Sequence, residues 1–92
     1  MLETDTITTM KISIRYFASV REALSKSSET VVTRAETLAA LRDELIARGA
    51  PYAEALARGK AVRMALDQVM SAEGAVLADG AEVAFFPPVT GG

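Results

Sequence analysis

Glu82-Val83-Ala84-Phe85-Phe86-Pro87-Pro88-Val89-Thr90-Gly91-Gly92 holds a strand, a break and a slender tip in one short stretch. Val83 and Phe85 alternate with Glu82, Ala84 and Phe86, the period of a β-strand with one apolar face. Asp79-Gly80 just upstream is a turn signal that delivers the chain into it. Pro87 and Pro88 lack backbone N–H groups and fix φ, so the strand ends there and the tail beyond them projects away from the sheet. Gly91 and Gly92 carry no Cβ and make a thread that fits a channel closed to larger side chains. The stretch therefore predicts a sheet with a returning C-terminal strand, continued by a stiff exit and a carboxylate on a narrow tip.

Working outward, the same periodicities recur. From Lys11 to Phe17, Ile12, Ile14 and Tyr16 share one face, while Lys11, Ser13 and Arg15 take the other and Phe17 joins them. Ser19-Val20-Arg21-Glu22 has capping-box spacing and predicts a short helix through about Ser25. Glu29 to Thr33, carrying Val31 and Val32, reads as a second strand. Thr37 is the expected N-cap of the main helix, with Leu38, Leu41, Leu45 and Ile46 on its apolar face. Arg42, Asp43, Glu44 and Arg48 are expected on its solvated face. Gly49 and Pro51 mark its stop, and Pro51 to Arg58 adds one or two helical turns closed by Gly59. Val62, Met64 and Leu66 alternate into a third strand, and Gln68 to Met70 forms a short fourth. Lys60 and Arg63 read as a solvated loop and a strand edge, with contact to a partner or a nucleotide as the less favoured reading.

These elements make one α+β unit. A chain of 92 residues supports a single modest core. The long amphipathic helix covers one face of the sheet and leaves the other open to solvent. Phe17 and Phe86 fall on that open side among polar neighbours, which points to an aromatic docking patch beside the tail. The competing reading is that twisting strand ends tuck both rings back toward the core. Residues 1–9 are polar and threonine-rich and are expected to be a disordered leader, with the domain spanning 10–88 and a flexible tail 89–92.

Composition removes several chemistries. With no Cys and no His there is no thiol nucleophile, no imidazole base and no zinc site of the usual kind. Sulfur chemistry, if present, has to use the terminal carboxyl. A net charge of −2 gives no electrostatic footprint for nucleic acid. No run approaches the ~20 apolar residues of a membrane span, and the acidic N-terminus is not a secretory signal. The absence of cysteine is compatible with a cytoplasmic location.

The string Phe85-Phe86-Pro87-Pro88-Val89-Thr90-Gly91-Gly92 resembles the C-terminus of the ubiquitin-like sulfur carriers that form the small subunits of molybdopterin synthases. Tyr16-Phe17-Ala18, Val20-Arg21-Glu22, Thr37-Leu38 and Leu41-Arg42 add to it, with weaker matches at Gly59-Lys60 and Asp79-Gly80. The resemblance spans Met10 to Gly92. It departs at Asp67-Gln68, where such proteins often carry Asn-Gln.

The resemblance implies a ubiquitin-like β-grasp fold, a mixed sheet of four or five strands with one main helix on one face. It implies a two-stage cycle at Gly92, the reacting residue. An adenylating activating enzyme uses ATP to make an acyl-adenylate of its carboxylate. A sulfurtransferase or cysteine desulfurase then supplies sulfur, leaving a C-terminal 1-thioglycine. The tail enters the large catalytic subunit of the synthase and donates sulfur to a cyclic pyranopterin monophosphate, building the molybdopterin dithiolene. On this pattern the chain binds no cofactor or metal and is no enzyme alone. It works in the cytoplasm, away from nucleic acid and membrane, in a heterotetramer of two small and two large subunits. Val89, Thr90 and Gly91 line the channel, and Phe17, Phe86, Pro87 and Pro88 meet the partner. Gly-Gly activation is shared with carriers for thiamine, tRNA or cysteine pathways and with protein modifiers. A chemically idle interaction module is the more distant alternative.

Overall fold

The structure is a computed structural model that describes residues 9–88. Its elements run β1 (Met10–Tyr16), α1 (Ala18–Leu24), β2 (Ser28–Thr33), α2 (Leu38–Ile46), α3 (Tyr52–Ala55), β3 (Arg63–Leu66), β4 (Val69–Ser71) and β5 (Glu82–Phe86). The strands form one sheet in the order β2-β1-β5-β3-β4. β1 and β5 are parallel, and the other neighbours are antiparallel. The helices cover one face, in the ubiquitin-like β-grasp arrangement. The returning strand β5 thus lies at the centre of the sheet, between the first strand and the third.

The core follows from strand alternation and helix spacing. Ile12, Ile14 and Tyr16 of β1 and Val83 and Phe85 of β5 are buried against Leu38, Leu41 and Leu45 of α2. Each fully buried side chain of this kind contributes roughly 1.5–3 kcal/mol. The Thr37 hydroxyl accepts from the Ala40 N–H at 3.2 Å, as its expected N-cap role requires. Gly49, past the end of α2, has φ +87°, a conformation that glycine adopts without strain. Gly80 has the same φ, and its turn is tied down where the Lys11 N–H donates to the Asp79 carboxylate at 2.7 Å.

Three expectations are corrected. Ser19 does not cap α1. The helix begins two residues earlier, at Ala18, with Phe17 as a cap that makes no side-chain bond. The Phe17 carbonyl accepts from the N–H groups of Val20 and Arg21 at 3.1 and 3.3 Å, which meets the need a capping box would have met. The fourth strand starts at Val69 because Asp67 and Gln68, with φ +51° and +70°, form the hairpin turn before it. Arg42 is not solvated: it is 3% exposed. Its Nε donates to the Leu56 carbonyl and one terminal nitrogen to the Ala57 carbonyl, both at 2.8 Å, and the other meets Glu73 at 2.9 Å. Carbonyls left over at the end of α3 need donors, and the guanidinium fork supplies them.

Candidate docking surface and tail exit

Sheet register decides which residues share the open face. Arg15 pairs laterally with Ser28 on β2 and Ala84 on β5; Ala84 pairs with Ala65, and Ala65 with Met70. One row therefore crosses the whole sheet. On one side of it lie Thr30, Ser13 and Glu82, and on the other Phe86 is paired with Arg63. Two alanines at the middle of the crossing row leave a floor without bulk. The result is a depression of about 410 Å³ over Ala65 and Ala84, walled by Arg15, Phe17, Met70 and Phe86, with Gln68 and Glu82 at its rim.

Both expected aromatic residues are at this depression. Phe17 is 43% exposed, and Phe86 is half-buried beside the depression it lines. The tucked-in alternative does not hold for Phe17. The Arg15 guanidinium lies 6.0 Å from the centre of the Phe17 ring and 3.8 Å from the Glu82 carboxylate. Pro87 and Pro88 follow Phe86 directly and are half-buried. Pro87 also lines a smaller depression with Val20, Ala23, Ala55 and Val62, so the exit from β5 is flanked by α1 and α3. Val89, Thr90, Gly91 and Gly92 lie outside the described residues.

Behind the exit, a polar cluster that the sequence reading missed braces the sheet. Glu29 is on the covered face of β2, paired with Ile14. Its carboxylate accepts from the hydroxyls of Tyr16 and Tyr52 at 2.7 and 2.8 Å and from Arg48 at 3.1 Å. Lys26 donates to the Tyr52 hydroxyl at 2.9 Å, and Arg48 lies 4.9 Å from the centre of that ring. Burial alone favours the neutral acid, yet these hydrogen bonds outweigh it and hold Glu29 below the usual carboxylate range. Burial, then the Glu29 bond, push the Tyr16 phenol well above its usual value. The signal available was the parity of β2, which puts Glu29 inward with Val31 and Thr33.

A second network reinforces α2. Arg58 pairs with Asp43 at 2.8 Å and with Glu73, and its donated hydrogen bonds to both raise its pKa. Arg42 meets the same Glu73, so one carboxylate joins the buried and exposed arginines. Among the described residues there is no group of acidic side chains that could hold a metal ion, and no helix is long and apolar enough to cross a membrane.

Comparison with known proteins places this geometry. The ThiS family model matches residues 14–92. The chain is 41% identical over 81 residues to the molybdopterin synthase sulfur carrier subunit of Escherichia coli, covering 88% of this chain and 99% of that one. The solution structure of the Haloferax volcanii HVO 2177 protein is similar with a TM-score of 0.71 at 25% identity, covering 99% of this chain and 94% of the other. The complex of subunits 1 and 2 of molybdopterin-converting factor from Helicobacter pylori contains a chain similar at a TM-score of 0.59 and 25% identity, covering 90% of this chain and all of that one.

Proposed function

This chain belongs to the ThiS family, and from that premise we propose that it is the sulfur carrier subunit of a molybdopterin synthase. The observation that carries the reading is a likeness running almost end to end along a relative of that name, at 41% identity. The structure supports it with an open, aromatic-walled face next to the strand that leads into Pro87-Pro88.

On this reading the Gly92 carboxylate is the reacting group. A carboxylate is a poor electrophile, so an activating enzyme joins it to AMP from ATP and releases pyrophosphate. A sulfur donor displaces AMP, and one carboxyl oxygen has been replaced by sulfur. The thiocarboxylate sulfur attacks the cyclic pyranopterin monophosphate in the large subunit, and water returns the missing oxygen to Gly92. Two such cycles supply both sulfurs of the dithiolene. A chain without Cys or His contributes the cargo, and acid–base groups come from the partner.

The folded domain delivers the tip. Ordering the residues beyond Pro88 in a channel costs on the order of 1–2 kcal/mol each in backbone entropy. Docking through Phe17 and Phe86 offsets that cost and keeps the tip at high local concentration. Pro87 and Pro88 set the direction of the exit and limit how much chain has to be ordered. The activating enzyme, the sulfurtransferase, the cytoplasmic setting and a heterotetramer with the large subunit belong to the same proposal.

Incubation with ATP, the activating enzyme and a sulfur source, followed by intact mass spectrometry, tests the chemistry. The expected product carries the mass increment of one oxygen replaced by sulfur, at Gly92. Deleting Gly92 abolishes loading and transfer. No increment with a demonstrably active partner overturns the reading. Loading without transfer to the pterin precursor assigns the chain to another sulfur-carrier pathway.

A further inference from the structure

β2 is an outermost strand, paired only with β1, and its register runs unbroken from Ser28 to Thr33 without a proline, a lysine or a bulge. The opposite edge strand, β4, has only three residues. Soluble proteins blunt their sheet edges with such devices, because an open edge is a template for another strand. Hydrogen-bond parity identifies the backbone groups on this edge. The Tyr16 N–H donates to the Ser27 carbonyl at 2.9 Å, while the Ser13 and Phe17 N–H groups donate to Ala81 and Phe85 on the other side. Even residues of β1 therefore face β2, where their register partners are Glu29, Val31 and Thr33. The N–H and C=O groups of Ser28, Thr30 and Val32 point away from the sheet. Among the described residues none of these six groups is bonded to another backbone group. All three residues are exposed, Val32 by 65%.

The chain that precedes β1 has the reach and the chemistry to cover this edge. Residues 1–8 lie outside the described residues and enter the fold near Met10, which pairs with Thr33 at the end of β2. Past Thr33 the chain turns under the covered face, where Ala35 is buried and its N–H donates to the Thr33 hydroxyl at 2.9 Å. The route round the end of β2 is thus open on the other face. From β1 to a position outside β2 is two strand spacings, about 10 Å, which three extended residues cover. Thr4, Thr6, Ile7, Thr8 and Thr9 are β-branched, and residues 1–9 contain no Gly or Pro. Glu3 and Asp5 account for the whole net charge of −2. Cations border β2, with Lys26 and Arg34 beyond its ends and Lys11 and Arg15 across the β1 register. Its own acid, Glu29, is already held by Tyr16, Tyr52 and Arg48.

We propose that residues 2–6 add to the outer edge of β2 as a sixth strand, parallel to it and within the same chain. The direction follows from the topology. β1 and β2 are antiparallel, so a segment that rounds the end of β2 and returns to Met10 runs in the same sense as β2. The outward main-chain groups of Ser28, Thr30 and Val32 supply the bonds, and the carboxylates of Glu3 and Asp5 meet the cations that border the strand. The segment closes the edge against pairing with a second copy of the chain. Residues whose composition disfavours structure on their own gain order only against this edge. The inference is independent of the sulfur-carrier reading.

Amide hydrogen exchange of the whole chain, followed residue by residue by NMR over a range of protein concentration, tests the proposal. The double variant Thr4→Pro/Thr6→Pro removes two N–H donors from the added strand. The outward amides of Ser28, Thr30 and Val32 are expected to exchange at least tenfold faster in it than in the wild type. The amides of Glu29, Val31 and Thr33, which face β1, are expected to exchange equally in both and so report an intact sheet. Glu3→Lys/Asp5→Lys is expected to release the same three outward amides, and added salt to weaken their protection in the wild type. Equal exchange of the outward amides in the wild type and the proline variant overturns the proposal. Protection that is lost on dilution also overturns it, because the edge is then covered by a second copy. Full protection in Glu3→Lys/Asp5→Lys removes the charge pairing from the proposal.

Discussion

Tyr16 and Phe85 are lateral partners in the parallel β1–β5 pair, and their rings stack with centroids 6.1 Å apart and planes inclined by 18°. Because successive strand residues face opposite sides, that buried pair sends Phe86 to the open face. Phe17 follows Tyr16 out of the core, and its N–H donates to the Phe85 carbonyl at 3.1 Å. One interior contact thereby brings together two aromatic residues far apart in the chain.

The two aromatic pairs should respond differently to truncation. Phe17→Ala or Phe86→Ala is expected to weaken binding to the large subunit by about 2 kcal/mol, mainly through faster dissociation. Phe85→Ala is expected instead to destabilise the fold by about 3–5 kcal/mol. Urea unfolding beside a binding titration distinguishes the cases. A loss of stability from Phe17→Ala as large as that from Phe85→Ala would refute the division.

Glu29 makes a pH-dependent contribution to stability. Its folded pKa is lowered, so the contribution is present above the ordinary carboxylate value of about 4.3 and is lost as pH falls through the depressed value. Glu29→Gln should lower stability at neutral pH and flatten its decline in acid. Tyr16 acts at the other end. Its raised folded pKa means that stability present below about pH 10 is lost as pH rises beyond it. Unfolding free energies measured across pH for wild type, Glu29→Gln and Tyr16→Phe check both signs; parallel curves for all three would count against the cluster.

Arg42 predicts a core-like penalty for a charged residue. Arg42→Leu leaves the carbonyls of Leu56 and Ala57 without their donors and should cost about 2–4 kcal/mol. Arg42→Lys retains the charge but not the fork, and is expected to recover less than half of the loss. Wild-type stability in the lysine variant would show that charge alone is required.

The β3–β4 turn predicts a gain. Gln68, at φ +70°, occupies a position suited to glycine, so Gln68→Gly should stabilise by about 0.5–1 kcal/mol. Asp67 holds the turn to β5: its carboxylate accepts from the Glu82 N–H at 3.0 Å and its own N–H donates to the Glu82 carbonyl at 2.8 Å. Asp67→Asn keeps an acceptor oxygen and should be nearly neutral, whereas Asp67→Ala should cost about 1–2 kcal/mol. Thermal unfolding of the three variants in that rank order is the expected outcome.

Arg42 also shows where a sequence reading goes astray. Leu38, Leu41, Arg42 and Leu45 fall at i, i+3, i+4 and i+7, the spacing of one buried stripe. Side-chain chemistry argued for solvent while spacing argued for the core, and the spacing prevailed because α3 presents free carbonyls there. The Glu29 cluster was hidden for a related reason. Its members come from β1, β2, α3 and the chain on either side of them, and no local pattern joins Tyr16, Glu29, Arg48 and Tyr52.

By itself the sequence determined the elements, the Thr37 cap, the apolar stripe of α2, the buried face of β1 and the proline break after β5. Each depends on periodicity or backbone chemistry within a few residues, which is local information. Tertiary structure alone decided that β5 lies between β1 and β3, that two alanines meet on the open face, and that Arg15 stands beside them. It also decided that an arginine closes a helix end on the other side. Those outcomes depend on lateral register and on finding partners for buried polar groups, interactions between residues that only folding brings within reach.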